Sequence, residues 1–283
     1  MAGFVLTLVC ADRVGIVHAV AGFLTSRDCN IVDSQQFGDV DSGRFFMRVT
    51  FVCQDESVTL LSLRAEFTDV GRAFAMTWQL FDSADRCPTL VMVSRYGHCL
   101  NDLLYRWQTG ALATDIRAIV SNHPDFEGLA GAYHVPFHFL PITDSTKADQ
   151  ERALRGLIAD YQIELVVLAR YMQVLSDSLC ADLSGQIINI HHSFLPSFKG
   201  AKPHQQAFDH GVKLIGATAH YVTADLDEGP IIDQEVARVD HTFSVDRLTA
   251  VGRDVESVAL ARAVQWHAER RVLLNGAKTV VFR

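Results

Sequence analysis

Ile187–Ile232 reads IINIHHSFLPSFKGAKPHQQAFDHGVKLIGATAHYVTADLDEGPII. An apolar strand runs into polar groups, crosses a Pro/Gly loop and a short helix, and returns along the apolar segment Leu214–Val222. It then turns sharply at Asp225-Leu226-Asp227-Glu228-Gly229-Pro230. Asn189 and His191 stand two apart, and side chains of an extended backbone alternate, so both point to one face. The turn lifts a carboxylate onto a constrained loop tip. A carboxamide, an imidazole and a carboxylate, each at a strand end, are the groups that add water or an amine to a carbonyl.

The surrounding sequence supplies a parallel sheet for these strand ends. Leu90–Val93 is a short all-apolar strand followed by Arg95-Tyr96-Gly97-His98-Cys99 and a helix through Leu100, Leu103, Leu104 and Trp107. Strand, loop and helix in that order open an α/β layer. Strands are predicted at Ile116–Val120, Phe137–Leu140, Leu165–Ala169 and Ile187–Ile190, and helices over 147–161 and 244–270. Leu165–Ala169 has no polar alternation, as a strand buried on both faces requires. The fold class is α/β, a doubly wound, mostly parallel Rossmann-like domain over 89–283. Its ligand is expected where strand ends meet a change of strand order.

Residues 1–82 read as a separate ferredoxin-like βαββαβ unit. Strands are expected at 4–11, 30–37, 45–52 and 75–81, with helices led by Ile16, Val17, Val20, Phe23 and Leu24 and by Val58, Leu61 and Ala65. Asp39-Val40-Asp41-Ser42-Gly43 is a hairpin turn, and the polar, proline-ended stretch 83–88 is a linker. The βαββαβ order serves both RNA-binding and amino-acid-sensing modules, so topology alone assigns no function. The Arg44-Phe45-Phe46-Met47-Arg48 run matches an RNA-binding signature only loosely, and the net charge of −8 opposes nucleic acid or an anionic membrane as partner.

Composition excludes further classes. The chain has 283 residues, 49 % of them hydrophobic, enough for two cores. Six cysteines at 10, 29, 53, 87, 99 and 180 show no C-x-x-C spacing and read as free thiols of a reducing, cytoplasmic compartment. No uncharged run reaches the roughly 18 residues of a membrane span. One glycine after Leu90–Val93, where G-x-G-x-x-G needs three, argues against NAD, and no Walker loop is present. Histidines 191, 192, 204, 210 and 220 with Asp225 and Asp227 raise a metal reading, but none has a compact zinc spacing, and no metal is expected. His220 reads as a hydrogen-bonded core histidine, and His192, adjacent to His191, faces the other side of the sheet unless the backbone has already turned.

The residues Asn189-Ile190-His191, Ser193-Phe194-Leu195-Pro196 and Leu226-Asp227-Glu228-Gly229-Pro230 resemble the signature of the folate-dependent formyltransferase superfamily. Ser121-Asn122-His123, LARYMQVLS at 168–176, the doubled His191-His192 and GATAHYV at 216–222 are similar to its deformylase branch. LTLVCADRVGIVHAVAGFL at 6–24 resembles the ACT domain, a small regulatory module that pairs edge to edge and often binds amino acids. The resemblance covers nearly the whole chain. It implies hydrolysis of 10-formyltetrahydrofolate to formate and tetrahydrofolate, no cofactor beyond that folate substrate, and Asn189, His191 and Asp227 as the catalytic residues.

The resemblance also places the pterin at Arg170, Met172, Gln173, Val174 and Leu175, with Asp225 beside it. Related ribonucleotide transferases commonly carry arginine at the position of Gln173. Read without the resemblance, Met172, Val174 and Leu175 serve equally as core. By the residues' own chemistry, a protonated His191 and the Asn189 amide donate to the developing oxyanion while Asp227 handles the water. Asp225 and Glu228 nearby would raise the Asp227 pKa through like charge. Bulky residues at 95–100 stand where a Gly-rich phosphate loop would be, so the second-substrate site reads as filled and water as the acceptor. Three alternatives stay open: transfer to an amine such as glycinamide ribonucleotide, transfer to methionyl-tRNA, and a non-catalytic folate-responsive regulator. The ACT-like unit either binds an amino-acid effector near Asp12, Gly15, Ile16 and Val17, at a helix N-terminus, or serves only to hold a homo-oligomer, a tetramer or larger, together.

Overall fold

The computed structural model describes residues 2–55, 57–143, 146–195 and 203–283. The chain divides into two compact units, Met1–Asp85 with Arg270–Asn275 and Val280–Arg283, and Arg86–Glu269 with Gly276–Thr279. The first unit runs β1 (Ala2–Ala11), α1 (Ile16–Thr25), β2 (Cys29–Asp39), β3 (Arg44–Cys53), α2 (Leu60–Ala73) and β4 (Thr77–Asp82). Its sheet has the order β2-β3-β1-β4, all antiparallel. Phe4, Leu6 and Leu8 alternate along β1 and meet Phe45, Met47, Val49 and Phe51 of β3 under the two helices, because a period of two puts alternate residues on the buried face. Phe67 of α2 packs edge-on between Phe23 and Trp78, with ring centroids 5.0 and 4.9 Å away.

One sequence expectation fails here. Cys29 and Cys53 face each other in the β2–β3 register and form a disulfide. Only Cys10, Cys87, Cys99 and Cys180 remain free thiols, all buried. The pair lies 24 residues apart in sequence, and strand pairing rather than spacing brings it together.

The second unit continues with β5 (Cys87–Val93), α3 (His98–Gln108), β6 (Thr114–Ser121), α4 (Glu127–Ala132), β7 (Phe137–Phe139), α5 (Lys147–Asp160) and β8 (Leu165–Leu168). There follow α6 (Asp177–Asp182), β9 (Ile187–His191), α7 (Pro203–Asp209), β10 (Leu214–Tyr221), β11 (Ile231–Arg238) and α8 (Val245–Ala268). The sheet order is β11-β10-β9-β8-β5-β6-β7. β5 through β9 pair in parallel, and β10 and β11 run antiparallel at one edge. The chain winds outward from β5 to β7 and then returns to lay β8 on the other side of β5, so the change of direction falls between β5 and β8, one strand from β9. Every residue of β5 and β8 is buried, in agreement with the apolar runs Leu90–Val93 and Leu165–Leu168.

The chain ends in a hairpin, β12 (Val272–Asn275) and β13 (Lys278–Val281). Leu273, Val280 and Phe282 pack on Phe46 and Val9, on the face of the first sheet opposite its helices. Asn275 Nδ2 donates to Asp39 Oδ2 at 2.7 Å, and Gln35 Nε2 to the Arg283 carbonyl at 3.0 Å. The first unit thus reclaims residues that the sequence division placed in an unbroken 89–283 domain. Cys87 and Pro88 of the expected linker belong to β5. Among the described residues no helix is long and apolar enough to cross a membrane.

Candidate active site

β9 and β10 position the polar groups. Asn189 and His220 are direct partners in the antiparallel register, as are His191 and Thr218. Asn189 Nδ2 lies 3.2 Å from His220 Nε2, and His220 Nδ1 lies 2.8 Å from the Tyr221 carbonyl oxygen. A proton on Nδ1 donates to that carbonyl and leaves Nε2 to accept one of the two Asn189 amide hydrogens; the other remains for a substrate oxygen. Thr218, fully buried, accepts from Leu195 N and donates to the Ser193 carbonyl, both at 3.0 Å, which straps down the chain leaving His191. The expected Pro/Gly loop, including Pro196, lies outside the described residues.

The turn after β10 brings the carboxylate back over the strands. Asp227 takes left-handed backbone, φ 58°, which few side chains adopt without cost. Asp227 Oδ2 lies 3.2 Å from His191 Nδ1, and Oδ1 lies 3.7 Å from His220 Nε2. His191 is 6 % exposed, and its other ring nitrogen, Nε2, is buried with no hydrogen-bond partner among the described residues. Asn189, His191 and Asp227, separated by 38 positions, therefore meet around His220 on one cavity of about 620 Å³.

The expected rise in the Asp227 pKa is reversed. The hydrogen bond from His191, the largest cause, holds its carboxyl well below the usual carboxylate range, against the opposing effect of burial. Asp225 is exposed on the same turn. A donated hydrogen bond from His191 outweighs a like charge turned to solvent, because the effect of a charge falls with distance and with solvent screening.

His192 also departs from the simplest expectation. β9 ends at His191, the backbone turns, and the two imidazoles stack with centroids 5.0 Å apart, both lining the cavity. Burial first, and the charge of Arg170 second, push His192 down to about 4, so it is neutral at physiological pH.

Gly229 closes the turn. A Cβ there would stand 1.8 Å from the Tyr221 carbonyl oxygen, a backbone atom that cannot move aside alone. Gly229→Ala is expected to cost about 1–3 kcal/mol and to displace Asp227. A lowered melting temperature together with lost activity checks both parts.

Arg170, Met172, Gln173, Val174, Leu175 and Asp225 all line the same cavity. Ser94, at the end of β5, donates to Asn122 Oδ1 at 2.7 Å and accepts from Met172 N at 3.0 Å, fixing the 170–175 segment across the strand ends. Met172 and Val174 are 52 % and 58 % exposed, whereas Leu175 sits in the core beneath, so the two readings of these side chains divide between them. The sequence reading passed over Glu256, Arg253, Thr249 and the supporting role of His220, all of which line the cavity. Glu256 carried a signal: a lone acid beside Val255 and Ala259 on a helix face otherwise buried.

In the first unit, Asp12, Gly15, Ile16 and Val17 gather at the start of α1, where Gly15 holds φ 99°. Ile16 is buried in the core, so only its backbone can face a ligand there.

Comparison with known proteins fixes the ancestry. A formyl transferase family model matches residues 88–264, and an ACT domain model matches 4–65. The formyltetrahydrofolate deformylase of Corynebacterium sp. (strain P-1) is 52 % identical over 99 % of this chain and 98 % of its own. This chain belongs to the formyltetrahydrofolate deformylase family. A crystal structure of the deformylase from Burkholderia mallei superposes with a TM-score of 0.96 at 53 % identity, covering all of both chains. A glycinamide ribonucleotide transformylase from Symbiobacterium toebii reaches only 0.65 at 28 % identity and covers 72 % of this chain. A deformylase of this family thus combines an ACT module with a formyltransferase-type sheet.

Proposed function

We infer that this chain hydrolyses 10-formyltetrahydrofolate to formate and tetrahydrofolate, with Asn189, His191 and Asp227 as its catalytic groups. The single observation that carries the assignment of roles is the arrangement of Asp227 between two histidines, with His191 Nε2 unpartnered among the described residues beside the cavity. Full-length similarity to deformylases supports the reaction. Transfer to glycinamide ribonucleotide is disfavoured by the weaker and partial match to that enzyme class.

The chemistry follows from the charges. An ionised Asp227 keeps a proton on His191 Nδ1, and in the imidazolium form Nε2–H donates to the formyl oxygen together with the free Asn189 amide hydrogen. As water adds to the formyl carbon, negative charge grows on that oxygen and both donors tighten. His191 then shares its charge with the oxyanion and loosens its hold on Asp227, whose basicity recovers as the water proton needs a home. Asp227 passes that proton to N10, the C–N10 bond breaks, and formate and tetrahydrofolate leave. No group beyond the chain and its folate enters this scheme. The pterin is assigned to the 170–175 segment, with Met172 and Val174 as its apolar wall.

The rest of the reading concerns the ACT module. An amino acid such as glycine or methionine is assigned to the start of α1, and a homo-oligomer, a tetramer or larger, to pairing of copies. β2 supports the second assignment, being an edge strand with Val32 64 % and Phe37 46 % exposed. Cytoplasmic residence belongs to the same reading, supported by four buried free thiols and opposed by the Cys29–Cys53 bond. The test of the reaction is incubation of purified protein with 10-formyltetrahydrofolate alone. Formate and tetrahydrofolate should appear in equal amounts; a requirement for an added amine would refute the assignment.

A further inference from the structure

Beyond His191 the cavity is walled by Tyr96, Arg170, His204, Arg253 and Glu256. Glu256, 2 % exposed, projects from the middle of α8. Its Oε2 lies 2.7 Å from His98 Nε2 and 3.3 Å from Arg170 Nε. Burial by itself would raise the Glu256 carboxyl, but the His98 hydrogen bond and the Arg170 charge outweigh it and hold the group below its ordinary value. Cys99 completes a trio with His98 and Glu256 whose ligand atoms lie within 4.8 Å of one another. A cation is already present there, because the guanidinium stands against the carboxylate. Burial, with Glu256 next, also pushes the Cys99 thiol far up.

Arg170 is expensive where it sits. Its φ of 65° is left-handed, which costs a non-glycine residue roughly 1–2 kcal/mol. Among the described residues its Nε and Nη1 are buried without a hydrogen bond, and the ion pair and the Tyr96 ring, 5.6 Å from the guanidinium carbon, offset part of the desolvation. Its backbone is locked, since Ser94 N donates to the Arg170 carbonyl at 3.3 Å and the flanking Ala169 N to the Met92 carbonyl at 2.8 Å. Glycine would remove the strain and the desolvation of the guanidinium but would leave the buried Glu256 carboxylate with His98 alone. The ion pair does not itself require left-handed backbone, and strain of this kind at a cavity wall points to function.

We propose that Arg170, held by Glu256 and His98, is the specificity-determining residue that restricts the formyl group to water. The guanidinium fills the side of the cavity through which a larger nucleophile would approach. This inference rests on the deformylase reading above. With water as acceptor, oxygen bonds to the formyl carbon, the C–N10 bond breaks, and N10 takes up a proton. With an amine admitted, its nitrogen forms the new C–N bond and gives up a proton, N10 accepts one, and a formamide replaces formate.

The test compares wild type with Arg170→Gly, supplied with 10-formyltetrahydrofolate and millimolar glycinamide, reading N-formylglycinamide against formate by mass spectrometry. The ratio should rise about 10–100-fold, the range expected when a pocket admits a group it formerly excluded. Arg170→Lys, which keeps the charge and most of the bulk, should retain the wild-type ratio. If the glycine variant does not fold, Arg170→Asn replaces it, because asparagine tolerates left-handed backbone. A wild-type ratio in a folded Gly or Asn variant overturns the proposal, as does failure of both to fold, which would make Arg170 structural. Wild-type protein that releases no formate would instead sink the deformylase reading itself.

Discussion

Asp227→Asn is expected to lower kcat for formate release by about 10³-fold, within the 10²–10⁴ range of a positioned acid–base group. The amide keeps the shape of the carboxylate but can neither stabilise a positive charge on His191 nor carry a proton from water to N10. Both losses act on the same step, so kcat should fall far more than KM rises. The variant also separates two pH effects. Asp227 has a folded-state pKa well below its value of about 3.9 in an unfolded chain. Its contribution to stability is thus present above the unfolded value and disappears as pH falls below 4 toward the folded one. Wild type should lose stability across that acid window, and Asp227→Asn should lose less of it. Because Asp227 stays ionised from pH 7 to 5, a decline in wild-type rate over that interval does not report this carboxylate. Thermal melts at pH 3 to 7 beside a pH–rate profile check both statements.

Asn189→Ala is expected to lower kcat by about 10²–10³-fold, the cost of one oxyanion donor. The argument is geometric. Of the two amide hydrogens one is committed to His220 Nε2 at 3.2 Å, which fixes the plane of the carboxamide and aims the other. Truncation removes the aimed donor and leaves His220 Nε2 without its partner. Since the bond tightens only as charge develops on oxygen, KM should change little. Initial-rate measurements that show a raised KM with intact kcat would assign Asn189 to ground-state binding instead.

The sheet and the three groups at its edge were legible for a plain reason. Leu90–Val93 of β5 and all of β8 are unbroken apolar runs, and Asn189 and His191 end a strand with the spacing that puts both on one face. What escaped was long-range. β11 carries Asp233, Glu235 and Arg238 and looks solvated, but it is an edge strand, and Asp233 is buried against Arg262 of α8 at 2.7 Å. The Asn275-Gly276 turn is a strong local hairpin signal. Its place on the first sheet, however, depends on Phe46, more than 200 positions earlier. The turn that carries Asp227 is a local signal, but the charge state of Asp227 depends on His191, which reaches it from β9, a contact no local pattern encodes. The Cys29–Cys53 bond and the Arg170–Glu256 pair are of the same kind.

The most direct measurement runs the reaction in H₂¹⁸O without any amine. Water as the acceptor predicts formate carrying a single ¹⁸O, one oxygen from solvent and one from the formyl group, formed together with tetrahydrofolate. Unlabelled formate, or none until an amine is added, would contradict the account.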